Sequence, residues 1–138
     1  MQAALPQIES TKLDQQQIVK KSLVTFNCIA CHQREGVGGI SPQRDPWFVG
    51  TKGELGNEGR IPPPLTHVGA KLQTSWIEQV MLRGQQQRGY LATRMPQFGE
   101  ANVGHLVEMF EKVDTLEEVP VEKIDDVKRY KSAGHQRV

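Results

Sequence analysis

With 138 residues and a formal net charge of +1, the chain has neither the basic excess nor the basic run that marks a nucleic-acid binder, and no stretch has the apolar length of a membrane span. Only 37% of its residues are hydrophobic, while glycine and proline number 13 and 8. A single domain with tails is expected, with a thin core unless something besides side chains fills it.

The opening MQAALPQIES has neither a basic nor an apolar region, so it is no signal peptide. Residues 1–10 read as an N-terminal tail. The spacing of Ile18, Val19, Ser22, Leu23 and Phe26 predicts a helix over 11–31 with one buried stripe. That helix runs into FNCIACHQ, which holds the chain's only two cysteines, Cys28 and Cys31, three apart and followed by His32.

C-x-x-C-H is a sign of c-type haem attachment. Each thiol can add to one vinyl group, which leaves the histidine placed to ligate the iron. The apolar macrocycle would also fill the thin core. Two other chemistries use C-x-x-C. A thioredoxin-like pair opens a helix after a strand, whereas Cys28 lies at the end of a helical pattern. A zinc site needs further ligands, and His67, His105 and His135 follow no finger-like spacing. Haem attachment in bacteria takes place outside the cytoplasm, so a periplasmic or otherwise extracytoplasmic location is expected. The chain then reads as a mature or excised segment, with Met1 an addition.

Residues 33–64 carry seven glycines and five prolines and read as a loop, too long for an ordinary connection but suited to wrapping a prosthetic group. Trp47, Phe48 and Val49 are its apolar cluster, expected either against a porphyrin or as a short strand. Ser75-x-x-Glu78 matches a capping box and predicts a helix to Arg83, stopped at Gly84 and carrying Trp76, Ile77, Val80 and Met81. Residues 84–99 read as a second loop, and 101–113 as a helix with Val103, Leu106, Val107 and Phe110 on one face. The domain is expected over 11–113. Residues 114–138 read as a charged tail or linker, with near-helical spacing over 121–131.

An iron held by one imidazole needs a ligand on its other side, and a methionine sulfur is soft and neutral. Met81 and Met109 lie in helical patterns and read as core. Met95 alone sits in a loop, in A-T-R-M-P-Q-F-G, stiffened by Pro96. A ligating histidine donates its other N–H to an acceptor, and P-P-P-L, residues 62–65, offers carbonyls with few competing donors. His67 lies just after these prolines, on the proximal side, and is read as no ligand. His105 is expected at the surface or an interface.

In these motifs the chain resembles the mono-haem class I cytochromes c, over roughly residues 14–113. P-P-L-T-H-V is similar to the family's proline–leucine segment, and the resemblance puts the carbonyl acceptor for His32 at Pro63 and apolar contacts at Leu65 and Val68. His67 stands where that segment often has glycine. T-R-M-P-Q-F resembles the family's methionine loop and implies Met95 as the sixth ligand. The implied fold is all-α, a cytochrome c fold of three to five helices and long loops around one covalent haem. Its terminal helices cross, so Leu23, Val24 or Phe26 should meet Leu106, Met109 and Phe110. Trp76 is expected to line the pocket. Arg60, Arg83 and Arg94 are candidates to face the propionates, and a solvated arginine is the plainer reading of each. L-G-N-E-G-R-I-P-P-P-L-T-H-V-G-A-K-L is similar to haem c modules inside large multidomain bacterial proteins.

With both axial positions filled by protein, the expected function is outer-sphere electron transfer, to or from a redox partner protein or a fused enzyme domain. The chain itself is then no enzyme. The rival reading is a peroxidase-like or gas-sensing site in which the methionine leaves the iron. Nine acidic residues over 100–128, against eight basic and five acidic ones over 32–94, predict a dipole that favours an acidic partner at the haem face.

Overall fold

The computed structural model describes residues 12–116. The N-terminal tail, the helical pattern over 121–131 and five of the nine acidic residues of the expected dipole lie outside that range.

Among the described residues the chain is mainly α-helical, with five α-helices and one two-stranded ribbon. Helix α1, Gln15–Thr25, begins at a full capping box: Asp14 Oδ1 accepts from the Gln17 amide at 2.8 Å, and Gln17 Oε1 accepts from the Asp14 amide at 2.9 Å. The helix ends six residues short of the predicted 31, because Asn27 takes a left-handed conformation (φ 54°) and Cys28–Ala30 form only a 3-10 turn. Asparagine tolerates this geometry better than most residues.

The stretch 33–64 is not one loop. It opens with a ribbon of β1, Gln33–Arg34, paired antiparallel with β2, Val37–Gly38. Glu35 and Gly36 between them both have positive φ, as the tightest hairpin turn requires. Two 3-10 segments follow, Asp45–Trp47 and Gly53–Gly59. The Thr51 amide donates to Tyr90 O at 2.9 Å and the Ala92 amide to Val49 O at 3.0 Å, so this segment is fastened to the one carrying Met95. In the Trp47–Val49 cluster Phe48 is buried, whereas Trp47 is 79% exposed.

A short helix not foreseen from sequence, α2, covers Val68–Lys71. Helix α3, Thr74–Arg83, starts one residue before Ser75. Gln73 at its cap makes no side-chain bond, so the Ser75–Glu78 capping box does not form, and Glu78 approaches Arg83 instead at 3.7 Å. The helix ends at Gly84, left-handed with φ 69°, as the sequence predicts. The helix expected at 101–113 is present as α4, Glu100–Val103, and α5, His105–Val113, separated at Gly104, which keeps helical angles.

The buried core joins Val19 and Leu23 of α1, Ile77 and Met81 of α3, Val103 of α4, and Leu106, Val107 and Phe110 of α5. Phe26 and Met109 pack against it, while Val24 is 53% exposed and takes no part. Helix α2 crosses α5 so closely that a Cβ on Gly69 would sit 2.0 Å from Phe110 O. No helix among the described residues is long and apolar enough to cross a membrane.

Candidate functional site

The site grows out of the end of α1. The left-handed Asn27 turns the chain, and the amides of Cys31 and His32 both fold back onto Cys28 O, at 3.2 and 2.9 Å. Both thiols are free and half-buried. The hairpin is seated directly on this turn. Its Gly39 amide donates to Ile29 O and His32 O at 2.9 and 3.1 Å, and a Cβ on Gly38 would lie 2.6 Å from Ile29 O and 2.8 Å from His32 O. Only glycine fits there.

The His32 ring is aimed by a second segment. Its Nδ1 lies 2.7 Å from Pro63 O. A carbonyl can only accept, so the proton is on Nδ1 and the lone pair on Nε2. Burial pushes the imidazole below its ordinary range, and the bond to Pro63 only partly offsets this, so the ring is neutral at neutral pH. Burial likewise pushes the Cys28 thiol up, and it stays protonated.

The bond to Pro63 belongs to a seam joining residues 32–35 to 63–66. Leu65 N–H donates to Gln33 O at 2.7 Å, Arg34 Nη1 to Leu65 O at 2.7 Å, and Glu35 N–H to Thr66 Oγ1 at 2.9 Å. Pro62, Pro63 and Pro64 have no N–H to donate, so the single donor of the P-P-P-L run is spent on Gln33.

Two arginines that sequence reasoning missed stand close to this seam and turn. Arg34, 8% exposed, pairs with the buried Asp114 that follows α5, its Nη1 3.1 Å from Asp114 Oδ2. Arg44 Nη1 donates to Ala30 O at 3.0 Å, with Nη2 3.7 Å from Cys31 Sγ and the guanidinium over the Phe48 ring. Nothing in their spacing separates these two from the chain's other arginines.

The arginines singled out from sequence have other neighbours. Arg60 pairs with Asp45 at 3.0 Å and donates to Asn57 Oδ1 and to the carbonyls of Asp45 and Phe48, closing the 45–60 segment on itself. Arg94 donates to Leu91 O at 2.7 Å. Leu65 packs on the core and Trp76 is half-buried on α3.

Met95 lies between α3 and α4 and is 39% exposed, whereas Met81 is buried. Trp47, Val49 and Leu72 are also exposed apolar side chains on segments near the seam or joined to the Met95 loop. A cleft of about 310 Å³ opens beside Cys31, lined by Gly38, Ile40, Ile61 and Pro62 among others. Among the described residues no three His, Cys, Asp or Glu side chains gather as a metal site would need. The arrangement offers two thiols for covalent links and one oriented nitrogen lone pair.

No protein-family model matches the chain, and neither a curated protein nor a solved structure is found to match it.

Proposed function

We infer that this chain is an electron-transfer module of the mono-haem class I cytochrome c type, with one haem c attached through Cys28 and Cys31 and ligated by His32 and Met95. The observation that carries the reading is the His32–Pro63 hydrogen bond beside two free thiols. It fixes the tautomer that leaves the Nε2 lone pair available, while burial keeps the ring neutral, the form in which a histidine ligates a metal. The donor set fits haem c: two thiols for thioether links, one imidazole nitrogen, and one thioether sulfur on an exposed loop. It fits zinc poorly, since among the described residues no three His, Cys, Asp or Glu side chains gather as a zinc site needs.

When bound, the haem iron supplies the one-electron Fe(III)/Fe(II) couple. The chain's own residues do the rest. His32 and Met95 would be the two protein groups that hold the iron, which would leave it no open site for substrate. The seam holds the His32 ring in one tautomer. Leu65, Trp76 and the exposed apolar side chains Val49 and Leu72 are the candidates to exclude water, and a low-polarity wall tunes the potential. A cytochrome c fold accounts for the mainly helical architecture with α1 packed on α5. The module works outside the cytoplasm, in the periplasm or an equivalent compartment, and exchanges electrons with a partner protein or a fused enzyme domain.

The test is attachment. The protein matured with haem should keep it through acid–acetone extraction, with an intact mass one haem above that of the polypeptide. Cys28→Ala with Cys31→Ala should release the haem to solvent. Haem lost from the unaltered protein would end the assignment.

A further inference from the structure

Arg34 closes a ring of chain and hydrogen bonds around the His32 imidazole. It lies two residues after His32 and donates to Leu65 O at 2.7 Å. Leu65 lies two residues after Pro63, whose carbonyl accepts from His32 Nδ1 at 2.7 Å. Pro63 and Pro64 fix φ in the stretch between the two carbonyls, so a shift at Leu65 is passed to Pro63 rather than absorbed.

The guanidinium is itself held. Its Nη1 also donates to Asp114 Oδ2 at 3.1 Å, and its Nη2 faces Asp114 Oδ1. Asp114 Oδ2 accepts a further bond from the Gly69 amide at 2.9 Å, which ties the carboxylate to α2. The Phe110 ring lies 5.5 Å from the guanidinium carbon. Glu35 is a distant, half-exposed second acid at 3.7 Å.

We propose that Arg34 is a positioning residue for the His32 imidazole, and that Asp114 at the end of α5 positions Arg34. By holding Leu65 O against its own strand, Arg34 sets the distance and angle at which Pro63 O meets the Nδ1 proton. The strength of that bond sets how much electron density Nε2 donates to a bound metal. The proposal rests on the haem reading above, and it extends it by linking the C-terminal end of α5 to the electronics of the ligand. An ion pair that merely braced the hairpin against α5 would leave the ring untouched.

The test uses the ferrous low-spin holoprotein, in which the His32 Nδ1 proton can be followed by NMR while it exchanges with deuterium. Arg34→Lys and Asp114→Glu both keep the charges but disturb the two-pronged contact. In each, ring-proton exchange should quicken roughly five- to tenfold beyond any change in the α1 and α5 backbone amides, the effect of weakening one hydrogen bond. The midpoint potential should rise, because a less electron-rich imidazole stabilises ferric iron less. In the unaltered protein the Arg34 guanidinium protons and the His32 ring proton should open together, with the same dependence on denaturant. Independent openings there overturn the proposal, as do variants whose ring proton and potential stay unchanged or whose ring proton quickens only in step with the amides. Absence of covalent haem from the unaltered protein sinks the haem reading instead, before any variant is made.

Discussion

Ser22 Oγ and His105 Nε2 lie 2.8 Å apart, joining α1 to α5 across 83 residues of chain. Ser22 is 9% exposed, so its hydroxyl has little water to fall back on. The histidine is at the surface, as its sequence position suggests, but it is committed to a bond between helices. A double-mutant cycle of Ser22→Ala and His105→Ala in urea unfolding should give a coupling of about 1 kcal/mol. Additive losses would mean that the two groups do not interact in solution.

On the proposed haem reading, Met95→Ala should leave the haem attached but free the coordination position that its sulfur would fill. The weak long-wavelength sulfur–iron band of the ferric protein should vanish, the potential should fall, and cyanide or carbon monoxide should bind more readily. Met81, buried in the core, is the control. Met81→Leu should keep the spectrum and lose less than about 1.5 kcal/mol of stability. Rapid carbon monoxide binding by the unaltered ferrous protein would favour the peroxidase-like or gas-sensing alternative.

Burial alone would push the Asp114 carboxyl up, but the hydrogen bond from Arg34, the Gly69 amide and the charge of Arg34 outweigh it and hold the group below its ordinary value of 3.8. Its folded pKa therefore lies beneath its unfolded one. The contribution to stability is complete above the unfolded value and is lost as pH falls through the folded one. Asp114→Asn should cost about 3–5 kcal/mol at neutral pH, because a buried guanidinium loses its counter-charge. It should also flatten the fall in stability below about pH 4. Denaturant midpoints measured from pH 7 to pH 2 would show both effects.

His67 sits in the left-handed region, φ 56° and ψ 31°, immediately before α2. A side chain there is strained by about 1–2 kcal/mol, part of which glycine would recover despite its freer unfolded state. His67→Gly should therefore raise the thermal midpoint, with a gain of about 0.5–1 kcal/mol. His67→Val should lower it, since branching at Cβ worsens the clash.

The helix centred on Leu106 and the stop of α3 at Gly84 were legible because both rest on local rules, an apolar stripe and a glycine in a left-handed cap. The pairing of His32 with Pro63 was also anticipated: three prolines leave the carbonyls of 62–65 free of competing donors, and the resemblance to the class I cytochromes c singled out Pro63 among them. The end of α1 was not, because the apolar stripe continues through Phe26 while the backbone turns at Asn27. The capping box at Ser75 failed because Thr74 already lies inside the helix and bonds to Glu111 on α5 at 2.6 Å. Arg34 could not have been singled out. Its burial depends on Asp114, 80 residues away, and no spacing rule reaches that far.

The seam also determines where the chain can change length. Its two sides are held together across 31 residues, and the entropy of closing such a loop grows only slowly with size, by about 0.6 kcal/mol per doubling. Around Gly56 an added Cβ would meet nothing within 4 Å, so insertions there should be tolerated. One extra residue within 33–35 or 63–65 would instead slip the register of the seam and turn His32 away from Pro63. The stretch bearing His32 is therefore rigid in length, while the loop around Gly56 is open to variation.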